Sequence, residues 1–229
     1  MKRERICITG ATGIIGSVIA RHLNDEADVI GVSRHPPTAV IPRVDFVEAD
    51  IGEMEQAVKA LAGADMVIHL AAYTATDDDW SGLLHTNIVG TYNVLEAARE
   101  LGIKRLVFTS SLAVIAGHID RVREFLAHHP LAGRDEKIRF LDTLTPPRAE
   151  SLYSASKILG ESLCRLYHDS FGVSCSVVRI GEVNSEDRQE LSSPLGRFRW
   201  CSHADLKSAL DMAIEDVRHS RFAIRIAIS

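Results

Sequence analysis

Arg5-Ile-Cys-Ile-Thr9-Gly10-Ala-Thr-Gly13-Ile-Ile-Gly16 is the stretch on which the fold turns. Its first five residues form a short, apolar, β-branched run of strand length. Its three glycines fall where that strand must give way to a helix running from Ile14 to Leu23. Glycine allows the tight turn and lets the backbone approach a bound group closely. The free amides at the start of the helix can then hold a pyrophosphate. The spacing is G-x-x-G-x-x-G rather than G-x-G-x-x-G, so the strand before it and the helix after it carry the reading.

Outward from this turn, the same alternation repeats. Asp28-Val-Ile-Gly-Val-Ser33 reads as a second strand, followed by the Pro36-Pro37 loop, and Val44-Asp-Phe-Val-Glu48 as a third. A helix over Met54 to Leu61 leads to a fourth strand, Asp65 to Leu70, and then to a long helix from Gly82 to Leu101. Lys104 to Thr109 is the fifth strand, Leu152 to Phe171 a further helix, and Val173 to Arg179 the sixth strand. Apolar strands separated by amphipathic helices predict an α/β fold with a doubly wound parallel sheet, covered on both faces, of Rossmann type. At 229 residues the chain suits one such nucleotide-binding domain, 1–229. Within it 181–229 is a reduced C-terminal, substrate-side region with one helix (Ala204 to Val217) and a last strand (Phe222 to Ile228). The segment between Ser111 and Tyr153, with a basic helical piece from His118 to His129, reads either as an insertion at the mouth of a site or as a surface excursion without chemistry.

Composition narrows the function classes. With 46% hydrophobic and 25% charged residues and a net charge of -5, the chain has no electrostatic footprint for nucleic acid. No apolar run is long enough to span a membrane, and Met1-Lys-Arg-Glu-Arg5 leads into a strand rather than a signal segment, so a cytoplasmic protein without a membrane partner is expected. Cys7, Cys164, Cys175 and Cys201 are scattered and should be free thiols. Asp77-Asp-Asp79 reads as a solvated loop, His128 and His129 lack ligand spacing, and no metal site is expected. Trp80 and Trp200 read as packing residues.

The second informative stretch is Tyr153-Ser-Ala-Ser-Lys157. Tyrosine and lysine four apart share one face of a helix, where the ammonium can lower the pKa of the phenol and ready it for proton exchange. Downstream of the glycine turn, with Lys104-Arg-Leu-Val-Phe-Thr-Ser-Ser111 between them, the two motifs read as a dinucleotide-dependent oxidoreductase. At the end of the second strand, where a carboxylate would bond a ribose 2′-hydroxyl and repel a 2′-phosphate, stand Ser33-Arg34-His35. A hydroxyl and a guanidinium suit a phosphate, which favours NADP over NAD.

In order, Thr9 to Gly16, Asp50-Ile51, His69-Leu-Ala-Ala72, Asn87-Ile-Val-Gly-Thr91, Thr109-Ser-Ser111 and Tyr153 to Lys157 resemble the short-chain dehydrogenase/reductase superfamily. They are most similar to its extended branch, the NAD-dependent epimerase/dehydratase family. The tail around Trp200 to Leu206 more loosely resembles uronate dehydrogenase-like members. The resemblance implies that Tyr153 is the acid/base, Lys157 holds the nicotinamide ribose, and Ser111 bonds the reacting oxygen, with Ser110 as the alternative. Asn87 takes the proton-relay and helix-bend position. Gly10, Thr12, Gly13, Ile14, Ile15 and Gly16 cradle the cofactor, Ser33 and Arg34 close its ribose end, Asp50 and Ile51 flank its adenine, and Leu70, Ala71, Ala72 and Ile180 line its path. Arg179 is either a holder of a substrate carboxylate or a structural ion pair. Leu112 stands where uronate dehydrogenase-like members place an asparagine, and Ile115 where the extended branch usually has a tyrosine.

These features predict an NAD(P)-dependent enzyme transferring a hydride between its cofactor and a secondary alcohol or ketone of a small sugar or sugar acid. A nucleotide-sugar epimerase or dehydratase and a non-catalytic NADP-binding sensor or scaffold are the alternatives. Apolar residues on several faces of the helices Leu152 to Phe171 and Leu83 to Leu101 (Ile158, Leu159, Leu163 and Leu166; Ile88, Val94, Leu95, Ala97 and Ala98) predict a homodimer.

Overall fold

The computed structural model describes residues 3–37, 40–74, 79–142, 144, 146–189 and 194–229. Seven parallel strands form one sheet in the order β3-β2-β1-β4-β5-β6-β7. They are β1 (Arg5–Thr9), β2 (Asp28–Ser33), β3 (Val44–Glu48), β4 (Met66–His69), β5 (Arg105–Ser111), β6 (Ser174–Ile180) and β7 (Ala223–Ala227). The order reverses between β1 and β4, and in open sheets of this kind ligands bind in the crevice at the carboxyl ends of the strands beside that reversal.

Strand alternation divides the core. Ile6 and Ile8 of β1 face α1 (Ile14–Leu23) and α9 (His203–Arg218), packing with Ile19, Leu206 and Ala213. Cys7, between them, faces the opposite layer of α2 (Met54–Leu61), α4 (Gly90–Glu100) and α7 (Leu152–Phe171), packing with Leu61, Val94 and Cys164. All four cysteines are free and buried. Burial pushes the Cys7 thiol up to about 12, so it is inert at neutral pH.

The structure has the expected bounds for β1, α1, β2, β3, α2 and α7. The long helix after β4 differs: it is a short turn, α3 (Trp80–Gly82), then a π-helical stretch, Leu83–Val89, and then α4. A π-helical stretch widens the turn and shifts the later residues around the axis, which a simple apolar period does not reveal. The segment after β5 is a 3-10 helix, Leu112–His118, followed by α5 (Ile119–His128) and α6 (Arg134–Leu141). It is not a bare surface excursion. Leu112, Ile115, Val122 and Leu141 bury a third apolar cluster together with Phe198 of α8 (Pro194–Arg199) and Ile228. Gly181 donates its amide to Ala227, and Cys201 to Glu182, so the C-terminal region is stitched to the end of β6. Trp200 is buried as expected, whereas Trp80 is half exposed. Of the triple aspartate, Asp77 and Asp78 lie outside the described residues. No helix among the described residues is long and apolar enough to cross a membrane.

Candidate active site

The glycine turn forms one end of a cleft of about 480 Å³. Gly10 has φ +72°, and a Cβ there would stand 2.7 Å from the Ala71 amide nitrogen, so both backbone and space require glycine. Helix α1 starts at Gly13 with no side-chain cap and no acidic residue in its first turn. Its leading amides are therefore left for an anion, in the arrangement that binds pyrophosphate. Every residue expected to cradle or flank the cofactor from Gly10 to Ala72 lines this one cleft: Gly10, Thr12 to Gly16, Ser33, Arg34, Asp50, Ile51, Leu70, Ala71 and Ala72. Ser33 Oγ accepts from the Thr12 amide at 3.2 Å, tying the glycine turn to the end of β2.

Among the cleft residues outside the motifs, two stand out. Thr86 lies in the wall with its Oγ1 buried and without a hydrogen-bond partner, an orphaned hydroxyl of the kind a ligand satisfies. Val183 closes the cleft from the C-terminal region. Thr86 directly precedes the Asn87 to Thr91 motif, which could have pointed to it, whereas Val183 arrives through tertiary packing. The glycine cradle, the uncapped helix start and the orphaned hydroxyl together fit a dinucleotide.

Asp50 is held by the Gly52 amide at 2.9 Å and by His85 Nε2 at 3.0 Å. Burial pushes its carboxyl up. The Gly52 amide, the His85 contact and the charges of His85 and Arg34 outweigh that and hold it below the usual carboxylate range. Asn87 does not line the cleft. Its Oδ1 accepts from the Tyr73 amide at 2.7 Å, and its Nδ2 donates to Tyr73 O at 3.1 Å and to Ser156 Oγ at 3.0 Å. It thus clamps the loop after β4 to α7 from within the π-helical stretch.

Helix α7 begins with a reciprocal cap: Ser151 Oγ accepts from the Ser154 amide, and Ser154 Oγ from the Ser151 amide. This fixes the first turn, which carries Tyr153, beside the end of β5. There the Tyr153 phenol comes within the influence of Ser111, whose side chain favours its ionised form. Lys157, one turn on, is 4% exposed. It donates to Thr109 O at 2.9 Å, and its Nζ stands 5.0 Å from the Phe108 ring centre and 6.0 Å from that of Tyr153.

Here the electrostatic expectation needs correction. Burial raises the Tyr153 phenol above its ordinary value, and Ser111 opposes this only in part. The lysine charge is turned toward Thr109 and does not lower the phenol. Instead Lys157 itself is shifted: burial pushes it down to about 8, against the raising influence of Cys164 and Glu161. Nearby, His69 is fully buried between Thr9 Oγ1 at 2.7 Å and Thr91 Oγ1 at 3.1 Å. Burial and the Lys157 charge push it down to about 3, so it is a neutral structural link.

Arg179 takes the second of its two expected roles: its Nε and a terminal nitrogen form a paired contact with Glu161 at 2.9 and 2.8 Å. Ser110 Oγ donates to the same carboxylate at 2.6 Å. Both residues are buried, so the structural ion pair is the reading that holds, and Ser110 is committed within it. Ser111 is the serine that remains accessible. Beyond it opens a second chamber of about 350 Å³, which Ile180 also lines.

The sequence model of the NAD dependent epimerase/dehydratase family matches residues 6–204. The chain is 33% identical over 218 residues to the L-arabinose 1-dehydrogenase (NAD(P)(+)) of Haloferax volcanii, covering 92% of this chain and 82% of that one. It is 30% identical over 211 residues to a uronate dehydrogenase of Agrobacterium fabrum, covering 91% and 71% respectively. A mutant uronate dehydrogenase from Agrobacterium tumefaciens, solved in complex with NAD, superposes with a TM-score of 0.74 at 27% identity, covering 99% of this chain and 77% of that one.

Proposed function

The chain belongs to the NAD-dependent epimerase/dehydratase family, and we propose that it is an oxidoreductase interconverting a secondary alcohol and its ketone on a small, sugar-like substrate with a nicotinamide cofactor. The observation that carries this reading is the meeting of Tyr153 with Ser111 at the carboxyl end of β5, one helical turn from the buried Lys157. Bound in the glycine-lined cleft, NAD(P) supplies the hydride acceptor, so that an alcohol loses one hydride and one proton to become a ketone. Ser111 bonds and orients the reacting oxygen. Tyr153 takes the proton from that oxygen, or returns it in the reductive direction. Lys157 reaches the ribose and, with a pKa near 8, exchanges a proton at neutral pH. Asn87, in its π-helical bend, positions α7 and belongs to the proton relay.

Ser33 and Arg34 support NADP over NAD as the preferred cofactor, because no carboxylate closes β2. Within this reading 1–229 act as one cytoplasmic, homodimeric domain, with 181–229 closing the substrate side. Tyr153→Phe removes only the hydroxyl. It should cut turnover by about 10²-fold or more, the scale of acid/base catalysis, while cofactor binding followed by nicotinamide fluorescence stays within about twofold. Near-normal turnover by this variant would remove Tyr153 from the chemistry.

A further inference from the structure

The chamber beyond Ser111 is built by the segment after β5, and its wall is apolar. Leu112, Ile115, Val122 and Leu141 converge there with Leu195 and Phe198 of α8. Aromatic packing behind the wall makes it firm: the rings of Phe125 and Phe140 stack at 4.2 Å, and Phe198 meets Phe140 edge-on at 6.4 Å. At about 350 Å³ the space lies at the small end of ligand-pocket sizes. It suits one compact group rather than a nucleotide.

The chamber's charges do not suit an anion. Glu150 and Glu182 stand on its lining, and Arg199, the facing cation, is paired with Glu182 at 2.9 Å. Arg179, the other arginine that could hold a carboxylate, is paired with Glu161. Arg199 Nε, buried without a partner, leaves one donor for a single acceptor oxygen. Hydroxyls placed against Leu112, Ile115 and Phe198 would lose their water and gain no hydrogen bonds in return. An alkyl or aryl group there would gain from burial.

We infer that this chamber receives the apolar flank of a neutral substrate. The reacting carbon carries, on the side toward Leu112 and Phe198, an alkyl or aryl substituent or a deoxygenated sugar carbon in place of hydroxyls or a carboxylate. The inference rests on the oxidoreductase reading and names its substrate class. The segment from Leu112 to Leu141 thereby sets specificity.

The test compares kcat/KM at saturating cofactor for alkan-2-ols from 2-butanol to 2-hexanol, for 6-deoxygalactose beside galactose, and for arabinose and glucuronate. The expected result is a rise of about fourfold per added methylene, 6-deoxygalactose above galactose, and glucuronate lowest. Ala116→Phe, from a half-buried position in the wall, should cut the 2-hexanol value tenfold or more while cofactor affinity shows the fold intact. In parallel, saturation-transfer NMR follows 2-hexanone on the cofactor-loaded protein and on the variant. Turnover with no chain-length dependence, or arabinose or glucuronate tenfold above every apolar alcohol, overturns the chamber assignment and leaves the redox reading standing. No turnover, with 2-hexanone bound by the wild type and lost in Ala116→Phe, does the reverse. Neither turnover nor binding overturns both.

Discussion

Ser33 and Arg34 close β2 at the lip of the nucleotide cleft, and at this scale single groups decide the cofactor. Ser33 Oγ is held by the Thr12 amide, and Arg34 is exposed, free to meet a 2′-phosphate. NADP should therefore bind more tightly than NAD by calorimetry. Ser33→Asp places a negative charge against that phosphate and should reverse the order, because repulsion of the wrong partner is a strong source of specificity. NAD bound tenfold better by the unaltered protein would show the reading of this lip to be wrong. The lip is local in the chain, so its chemistry is legible from the residues alone. The Tyr153–Lys157 pair is legible as a pair but not in its electrostatics. Helical spacing puts the two on one face. Burial raises the phenol and lowers the lysine, and the Thr109 carbonyl of β5 accepts the lysine's hydrogen bond, so the phenol is not lowered as spacing alone suggests.

Among the elements, β6 and α7 are locked by the Glu161–Arg179 pair, with Ser110 of β5 bonded to the same carboxylate. One contact thus joins two adjacent strands to the helix that carries Tyr153. Removing one member leaves the other charge buried and uncompensated, which costs about 3–5 kcal/mol. Arg179→Met should lose about that much in chemical denaturation, and Arg179→Met combined with Glu161→Leu should recover a large part of it. If Arg179→Met cost under about 1 kcal/mol and instead raised KM alone, the arginine would belong to the substrate after all. Residue order offers no means of choosing between these roles for Arg179, since its partner lies on another element. The apolar runs are a better guide. The bounds of β1 and β2 can be read directly, because parallel strands buried on both faces leave continuous apolar stretches. The π-helical stretch around Asn87 and the packing of α5, α6 and α8 depend on contacts distant in the chain, and period alone does not encode them.

For the whole molecule, burial within the subunit must be told apart from burial between subunits, which a sequence pattern does not do. Val94, Leu95, Ala97 and Ala98, expected at a second surface, are all packed inside against β4, β5 and α2. Ile158 packs against the third cluster and Leu163 against the second. What is left outside is more specific. Leu152, Leu159 and Leu166, seven residues apart, stand 44%, 38% and 49% exposed along α7. Seven residues bring a helix back to nearly the same face, so they form one stripe. Leu84, Tyr92 and Leu101 are exposed large apolar residues on the neighbouring helical segment. A two-fold axis beside α7 would bring each stripe against its copy, and covering the exposed part of each leucine contributes a little under half of the roughly 1.5–3 kcal/mol of full burial. Light scattering at micromolar concentration, with cofactor present, should therefore report twice the 25.2 kDa of one chain. Leu159→Glu with Leu166→Glu should halve that mass while leaving the cofactor cleft, which neither leucine lines, able to bind. A wild-type protein that runs as a monomer under these conditions would leave the leucine stripe without a partner and the homodimer without support.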